Sequence, residues 1–301
     1  MTGAALVRQG PSPEKGRKTT AEETGITCLA PIPGPEAQPR ARGQLNLSVK
    51  PGARGPMLDG FRQSGSLRAL FPRGPSHRVQ GVLINTAGGI TGGDRFDMCA
   101  SAGPGTHLML TTQAAERAYR VQPDTEGWLN TRLQAARGAR LDWLPQETIL
   151  FEGCALRRSL RVDLARDARL LMVEPLVFGR VAMGETLRSA RFHDRTLIQR
   201  DGQSLFLDAT ILTGDITAHL ARPFVADGAG AMALMVYVAP NAEAVLTTLR
   251  ADLPATAGAS LIHRDVLVAR VLATDSFALR QALVPILNRL TGNDLPRPWM
   301  I

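Results

Sequence analysis

The chain has 301 residues, of which 44% are hydrophobic, so it can bury a sizeable core as one large domain or two smaller ones. Its formal charge is +8, but residues 1–80 hold 12 Lys and Arg against 5 Asp and Glu, which leaves 23 against 22 for residues 81–301. The body is nearly neutral, and the sequence does not show the basic stripe of a nucleic-acid-binding fold.

The cysteines and the apolar segments indicate the compartment. Cys28, Cys99 and Cys154 are far apart and form no CxxC pair, which argues against a disulfide framework and a thiolate zinc site. The N-terminus lacks the apolar core of a signal peptide, and the longest uncharged stretch, residues 228–242, is too short to span a bilayer. We predict a cytoplasmic protein with no membrane segment.

The first 42 residues are rich in proline and glycine and contain few large apolar side chains. Such a composition cannot bury enough surface to offset the entropy of ordering. Residues 1–42 are therefore predicted to be a disordered basic leader, and residues 43–301 a single β-rich domain. A nucleic-acid binder acting through this leader is one alternative, which a steep salt dependence would support.

From residue 44 onward, short segments alternate apolar and polar residues between Gly, Pro and Asp, which is typical of strands with one buried face. Examples are Leu45/Leu47/Val49, Phe96/Met98, Leu108/Leu110, Leu129/Leu133, Leu141/Trp143 and Leu160/Val162/Leu164. Continuous apolar runs at 168–178 and 231–238 indicate strands covered on both faces. No repeat of fixed length is evident. The prediction is a mostly β fold with more than ten strands.

A glycine-rich segment, "NTAGGITGGD" at residues 85–94, follows the apolar residues 81–84. A phosphate-binding Walker A loop needs Lys and Ser or Thr after its last glycine, whereas Asp94 stands here and would repel phosphate. The spacing of the four glycines, Gly88, Gly89, Gly92 and Gly93, also fails the dinucleotide fingerprint, and a strand follows instead of a helix. We interpret the segment as a tight turn between strands with positive φ angles.

A second interpretation of the same loop stays open. The protein would be an enzyme or a binding protein for a phosphorylated small ligand held by residues 88–93, with Arg95 or Arg120 as the anion partner. The failed motifs argue against it, and no hydrolase or metalloprotease motif occurs elsewhere in the chain. We therefore predict that the protein is not an enzyme.

Residues 94–101 and 106–112 read as two strands of a hairpin that turns at Gly103. In that register Cys99 faces His107 on the polar side of the hairpin. A thiol beside an imidazole can bind a soft or borderline metal, but two ligands do not make a cage. The favoured interpretation is a packed cysteine beside a hydrogen-bonded histidine.

The segment "VEPLVFGRVAMGE" places Glu174 and Glu185 in otherwise apolar sequence, with Arg180 between them. A buried carboxylate is costly unless it is paired or hydrogen-bonded. Either Arg180 pairs with one glutamate to hold the local fold, or at least one glutamate faces a polar passage. The sequence does not decide between these alternatives.

Helices are predicted only near the C-terminus. The first begins after Asn241, a favoured N-cap residue. The second runs from Thr274 or Asp275 to Gly292, and one face carries Leu279, Leu283, Ile286 or Leu287, and Leu290. Pro285 is expected to kink or divide this second helix.

Five segments resemble the successive signature blocks of one family, the urease accessory protein UreD, also called UreH. In chain order they are "RQSGSLRALFPR" (62–73), "LINTAGGITGGDRF" (83–96), "GPGTHLMLTTQAAERAYR" (103–120), "LPQETILFEG" (144–153) and "EPLVFGRVAMGE" (174–185). The match runs from about residue 40 to the C-terminus. The second, third and last blocks are the most specific.

The resemblance implies a two-layer β-sheet structure of right-handed β-helical character with a small C-terminal helical part. It also implies a scaffold that binds apo-urease and recruits UreF and the GTPase UreG for nickel insertion. Nickel would pass through a polar tunnel in the protein rather than stay bound as a cofactor. A conduit must release Ni²⁺, so the missing Cys/His cage is compatible with this role.

If nickel is the cargo, the residues selected above for their chemistry, Glu174, Glu185, Cys99 and His107, become candidates for transient contact with it. The family blocks further assign structural or interaction roles to Gly88, Gly89, Gly92, Gly93, Asp94, Arg180 and Gly184.

Overall fold

The computed structural model of the chain describes residues 39–300. Strands make up 52% of the structure and wind into a β-solenoid of about four turns, which confirms the predicted mostly β, β-helical fold. Most of the predicted leader, residues 1–42, lies outside the described residues. The first strand begins at Arg42, the last residue of that predicted segment.

The strands form two sheets. The first sheet contains β1 (Arg42–Gly52), β2 (Gly55–Gly65), β5 (Arg95–Ala102), β8 (Gly127–Ala135), β11 (Ala155–Leu164), β13 (Ala190–Arg200) and β14 (Gln203–Gly214). The second contains β3 (Leu67–Leu70), β4 (Val79–Asn85), β6 (His107–Thr112), β7 (Glu116–Ala118), β9 (Arg140–Leu144), β10 (Thr148–Leu150), β12 (Arg169–Phe178), β15 (Ala231–Val238), β16 (Ala257–His263) and β17 (Val266–Ala273).

From β4 to β13 the chain crosses repeatedly from one sheet to the other. The first sheet therefore contains a run of neighbouring parallel strands, β1, β5, β8, β11 and β13. The second sheet contains a similar parallel run, β4, β6, β9 and β12. Antiparallel strands close the edges, with β2 and β14 in the first sheet and β3, β15, β17 and β16 in the second. Each turn of the solenoid thus contributes one strand to the first sheet and one long strand to the second, and two turns add the short strands β7 and β10.

A short ladder at one side of the solenoid shows the repeat. Ile90, Ala118, Leu150 and Phe178 lie side by side, and successive members are 28, 32 and 28 residues apart. All four side chains are buried. Because the spacing is unequal and the shared residue type is only apolar, the repeat is not evident from the sequence.

The predicted hairpin between residues 94–101 and 106–112 is wrong. β5 pairs with β1 and β8 in the first sheet, whereas β6 pairs with β4 and β9 in the second. Both strands alternate apolar and polar residues, and that pattern fits either arrangement. In the solenoid the apolar residues of β5 and β6 meet face to face across the core instead of side by side.

Three α-helices are present among the described residues: α1 (Ile216–Leu220), α2 (Ala242–Asp252) and α3 (Ser276–Thr291). The predictions of α2 and α3 are confirmed, whereas the short α1 was not predicted. Asp275 caps α3 by accepting a hydrogen bond from the Ala278 amide at 2.8 Å. Asn241 precedes α2 without a side-chain capping bond. Its Oδ1 accepts from the Tyr237 hydroxyl at 2.9 Å instead.

Pro285 does not divide α3, which runs unbroken through it. The proline is exposed, so the Gln281 carbonyl that it cannot bond lies on the solvent side of the helix. On the opposite side, Leu279, Leu283 and Leu287 are buried and belong to a second apolar core with residues of the second sheet. The order of layers is therefore first sheet, second sheet, then α2 and α3.

Candidate functional site

A cavity of about 280 Å³ lies between the two sheets. Part of its wall is apolar, with Leu45 and Leu160 from the first sheet and Leu83 from the second. Its polar and charged lining residues are Asn85, Thr112, Gln113, Glu116, Arg117, Thr131, Trp143, Gln146, Thr148, Arg158, Ser159 and Glu174. Gly88, Gln113 and Ala114 line it as well and are exposed, so the cavity reaches the surface there.

A buried ionic network joins the sheets at this cavity. Arg158 on β11 points inward, and its Nη1 lies 2.6 Å from Glu174 Oε2 on β12. Its Nε and Nη2 donate to the two carboxylate oxygens of Asp194 on β13, at 2.9 and 2.6 Å. Trp143 Nε1 donates to Glu174 Oε1 at 2.6 Å. Two carboxylates thus share one guanidinium in the interior, which leaves one net negative charge when all three groups are ionised.

Burial and this charge balance shift the pKa values of the network. Burial raises the pKa of Glu174, and the charge of Asp194 raises it further, whereas Arg158 and the Trp143 hydrogen bond oppose the rise. Burial tends to lower the pKa of Arg158, but Asp194 and Glu174 outweigh it and raise that pKa overall. Arg158 therefore stays charged, whereas burial disfavours the ionised form of Glu174.

Glu116 on β7 is a second carboxylate of the same cavity. Both of its oxygens accept hydrogen bonds from Asn85 Nδ2, at 3.2 Å each, and the Arg117 amide donates to Oε1 at 3.2 Å. Burial raises the pKa of Glu116 to about 7, although the Asn85 hydrogen bond lowers it in part. Glu116 thus exchanges a proton near neutral pH on the wall of the cavity.

The glycine loop connects β4 to β5 and carries Gly88 to the cavity mouth. Gly88, Gly89 and Gly93 have positive φ angles of 78°, 158° and 86°, as expected for a turn between strands, whereas Gly92 does not. A Cβ on Gly92 would lie 1.9 Å from Thr125 Oγ1, so close packing requires that glycine. The buried Asp94 accepts hydrogen bonds from the Ala41 and Thr91 amides, at 2.8 Å each.

The loop does not present a phosphate cradle. The amides of Gly88, Ile90, Gly93 and Asp94 all donate to backbone carbonyls of the chain. Arg95, one of the two predicted anion partners, pairs with Asp97 at 3.0 Å. Arg120, the other, packs its guanidinium next to Gly153 instead. These contacts argue against the phosphorylated-ligand interpretation.

Glu185 is separate from the cavity lining. It accepts from Arg180 Nη2 at 2.8 Å and from the Arg180 amide at 2.9 Å, around a single 3-10 turn, Val181–Met183, that ends at Gly184 with φ 67°. The Arg180 hydrogen bond lowers the pKa of Glu185. The predicted pairing of Arg180 with one glutamate is therefore found for Glu185. Glu174 pairs with Arg158, a partner that was not predicted.

Cys99 and His107 are not brought together, because their strands belong to different sheets. Cys99 is exposed on the outer face of the first sheet. His107 lies on the outer face of the second sheet, where its Nε2 is 2.7 Å from Oδ2 of the fully buried Asp142. Within residues 39–300 no group of three or more His, Cys, Asp or Glu residues could hold a metal ion.

Three residues of the network and cavity were missed at the sequence level: Arg158, Asp194 and Glu116. Arg158 had a signal, because it alternates with Leu156, Leu160 and Val162 on the buried side of a strand. An arginine on an apolar face must find an acidic partner. Asp194 and Glu116 lie in mixed polar sequence and had no comparable signal.

Fold and site together define a β-solenoid whose apolar core encloses a partly polar cavity, without a recognisable catalytic constellation in its described part. The model of the UreD urease accessory protein family matches residues 41–300. The chain is 59% identical over 244 residues to the urease accessory protein UreD of Ruegeria pomeroyi, covering 81% of this chain and 95% of that protein. It is 50% identical over 267 residues to the UreD of Roseobacter denitrificans (89% and 97% covered) and 44% identical over 271 residues to that of Sinorhizobium medicae (88% and 98%).

The chain therefore belongs to the UreD family of urease accessory proteins, and its role lies in urease maturation. No helix within residues 39–300 is long and apolar enough to cross a membrane.

Proposed function

We propose that this protein is a non-catalytic scaffold that binds apo-urease together with UreF and UreG and passes nickel to the urease active site. Nickel is the cargo in this proposal, not a resident cofactor. Location in the cytoplasm stays a prediction. The observation that carries the proposal is the interior cavity with ionisable groups on its wall.

The ionic network suits transient contact with a divalent cation. Glu174 shares Arg158 with Asp194, so the single guanidinium does not neutralise both carboxylates. Oxygen ligands hold Ni²⁺ less tightly than a thiolate and imidazole cage would, which favours release. We infer that Glu174 is the residue of the network that contacts the passing ion.

Glu116 supports the same proposal at the cavity wall. With a pKa of about 7 it is protonated in part of the molecules near neutral pH. A carboxyl group can give up its proton when a cation arrives and take one up again when the cation leaves. No unpaired negative charge then remains buried after the cation has moved on. The ion would thus be exchanged for a proton.

The test is co-expression of the chain with the urease structural subunits, UreF and UreG. Glu174→Gln keeps the side-chain volume, can still accept from Trp143, and leaves Arg158 paired with Asp194. We expect the complex to assemble as in the wild type, with the nickel content of the recovered urease lowered several-fold. Nickel is measured by elemental analysis, and assembly by pull-down on this chain.

Glu185→Gln is the matched control, because Glu185 is also a glutamate of the same sequence block but lies outside the cavity lining. We expect this variant to deliver nickel at the wild-type level. Normal nickel content with Glu174→Gln would contradict the passage, and failure of that variant to assemble would assign Glu174 a purely structural role.

A further inference from the structure

The outer face of the first sheet is open to solvent. The outward residues of β1, β5, β8, β11 and β13 alternate with buried ones, and Asn46, Cys99, Arg132, Arg161 and Arg195 among them are exposed. The outer face of the second sheet, in contrast, is packed against α2 and α3. The five strands are parallel and in register, so they present a nearly regular grid of side chains.

Arginines dominate this grid, and we call it the arginine face. Its arginines are Arg42, Arg95, Arg132, Arg157, Arg161, Arg191 and Arg195 on the five parallel strands and Arg62 on the neighbouring β2. Three of them have a carboxylate partner: Arg95 pairs with Asp97, Arg157 with Glu126, and Arg161 with Asp163. Arg42, Arg62, Arg132, Arg191 and Arg195 form no ion pair with any residue between 39 and 300, which leaves a local net charge of +5.

The register places like charges next to each other. Arg132 lies directly beside Arg161 on the adjacent strand. Like charges that lie directly beside each other on neighbouring strands repel and destabilise the fold. An acidic group brought by another molecule would remove that repulsion.

Two shallow depressions share Arg132. One, of about 520 Å³, is also lined by Arg62, Asn46, Ser48 and Gln134, and no carboxylate lines it. The other, of about 360 Å³, is lined by Arg161 and Arg195 as well. The first depression therefore offers two guanidinium groups and several amide or hydroxyl donors to an incoming anion.

We propose that the arginine face docks an acidic surface of a protein partner, with partner carboxylates seated at Arg132. This rests on the proposed function, because it assigns a surface of this chain to one of the proteins of the urease activation complex. Arginine pairs with carboxylates through two parallel hydrogen bonds and is enriched at protein interfaces.

A protein fits the face better than a nucleic acid does. The arginines are interleaved with Trp128 and Leu197, and Arg157 stacks over the Trp128 ring at 4.9 Å. The five strands span a plane of roughly 19 by 20 Å. A surface with aromatic and arginine residues is typical of the central part of a protein interface.

The test uses the full chain and the co-expressed urease structural subunits, UreF and UreG. Arg132→Glu with Arg195→Glu reverses two charges on the face, and Arg264→Glu reverses an exposed arginine in the turn between β16 and β17, away from it. We expect the double variant to bind its partners at least about tenfold more weakly at low salt, with the control unchanged. Circular dichroism and thermal unfolding check that both variants fold.

Cys99 provides a second readout that needs no substitution, since it is exposed and lies beside Arg132 in the register. Its alkylation by a maleimide, resolved by peptide mass spectrometry, should slow several-fold when the complex forms. Unchanged alkylation in the complex would overturn the proposal even if the double variant binds weakly, because the loss would then be indirect.

The remaining outcomes are distinct. If the wild type and the double variant bind the same proteins equally well, the arginine face is not the docking site, while the proposed function stands. If the wild type binds none of these proteins, the proposed function fails, and this inference fails with it. If instead a duplex or single-stranded oligonucleotide binds the wild type but not the double variant, and protein binding is unaffected, the face serves nucleic acid.

Discussion

Asp94 stabilises the glycine loop, because each of its two carboxylate oxygens accepts a hydrogen bond from a backbone amide. Asp94→Ala would leave both amides without that acceptor in a buried position, which should lower the free energy of unfolding by about 3 kcal/mol. Urea unfolding of the purified chain measures this. Asp163→Ala is the comparison, because Asp163 makes a partly exposed pair with Arg161 and its loss should leave the unfolding midpoint nearly unchanged. Equal midpoints for the two variants would contradict the assigned role of Asp94.

Glu116 should make stability depend on pH near neutrality. Burial raises its pKa from 4.5 to about 7. Below 4.5 the carboxyl is protonated in both the folded and the unfolded chain. Between 4.5 and about 7 mainly the unfolded chain ionises, so the folded state loses stability as pH rises, by up to about 3 kcal/mol in total.

Glu116→Gln tests this pH dependence, because a glutamine cannot ionise. We expect the variant to gain stability relative to the wild type as the pH is raised from about 5 to about 8. Urea unfolding at several pH values gives the two curves. Parallel curves would show that Glu116 ionises in the folded protein as readily as in the unfolded one.

Single residues also show how far sequence reasoning reaches. Glu174 could be selected because a carboxylate stands inside an apolar run, and it does line the cavity. Its partners could not be selected, since Arg158 and Asp194 are 16 and 20 residues away and meet it only when two sheets pack face to face. Sequence identifies a costly buried charge, but the fold decides which group pairs with it.

At the scale of elements, the ladder of Ile90, Ala118, Leu150 and Phe178 couples consecutive turns of the solenoid. Leu150 is fully buried with a neighbour on each side, so Leu150→Ala should cost roughly 2–5 kcal/mol. Leu207→Ala on the edge strand β14 is the control, because that leucine is 54% exposed. Thermal or urea unfolding gives both values, and equal losses would argue that the ladder does not couple the turns.

The helices and strands were predicted unequally well for a physical reason. α3 has a capping aspartate, an apolar stripe and a terminal glycine in the left-handed region, all of which are local signals. The strands were recognised by alternation, which says that one face is buried but not which strand is the neighbour. The hairpin of β5 and β6 was wrong for that reason.

At the scale of the molecule, the mostly β class followed from the residues, and the solenoid from the family resemblance. The distribution of charge over the surface could be predicted neither from the residues nor from the family resemblance. Residues 81–301 are almost neutral in total, yet the outward positions of β5, β8, β11 and β13 place six arginines on one face. A basic surface assembled from alternate residues of distant strands leaves no continuous basic segment in the sequence.

The covering of the second sheet by α3 bears on how the chain is made. The helix and Trp299, whose Nε1 donates to the Leu144 carbonyl at 2.9 Å, leave the ribosome after every strand of the second sheet. Until then Met109, Leu171 and Leu267 of the second sheet lack the helix that packs over them. A chain that stops before Ser276 would keep that apolar surface open, and in a cell it would be bound by chaperones or degraded by proteases. The segment that follows β17 is therefore needed to cover the second sheet before the new chain is recognised as unfolded.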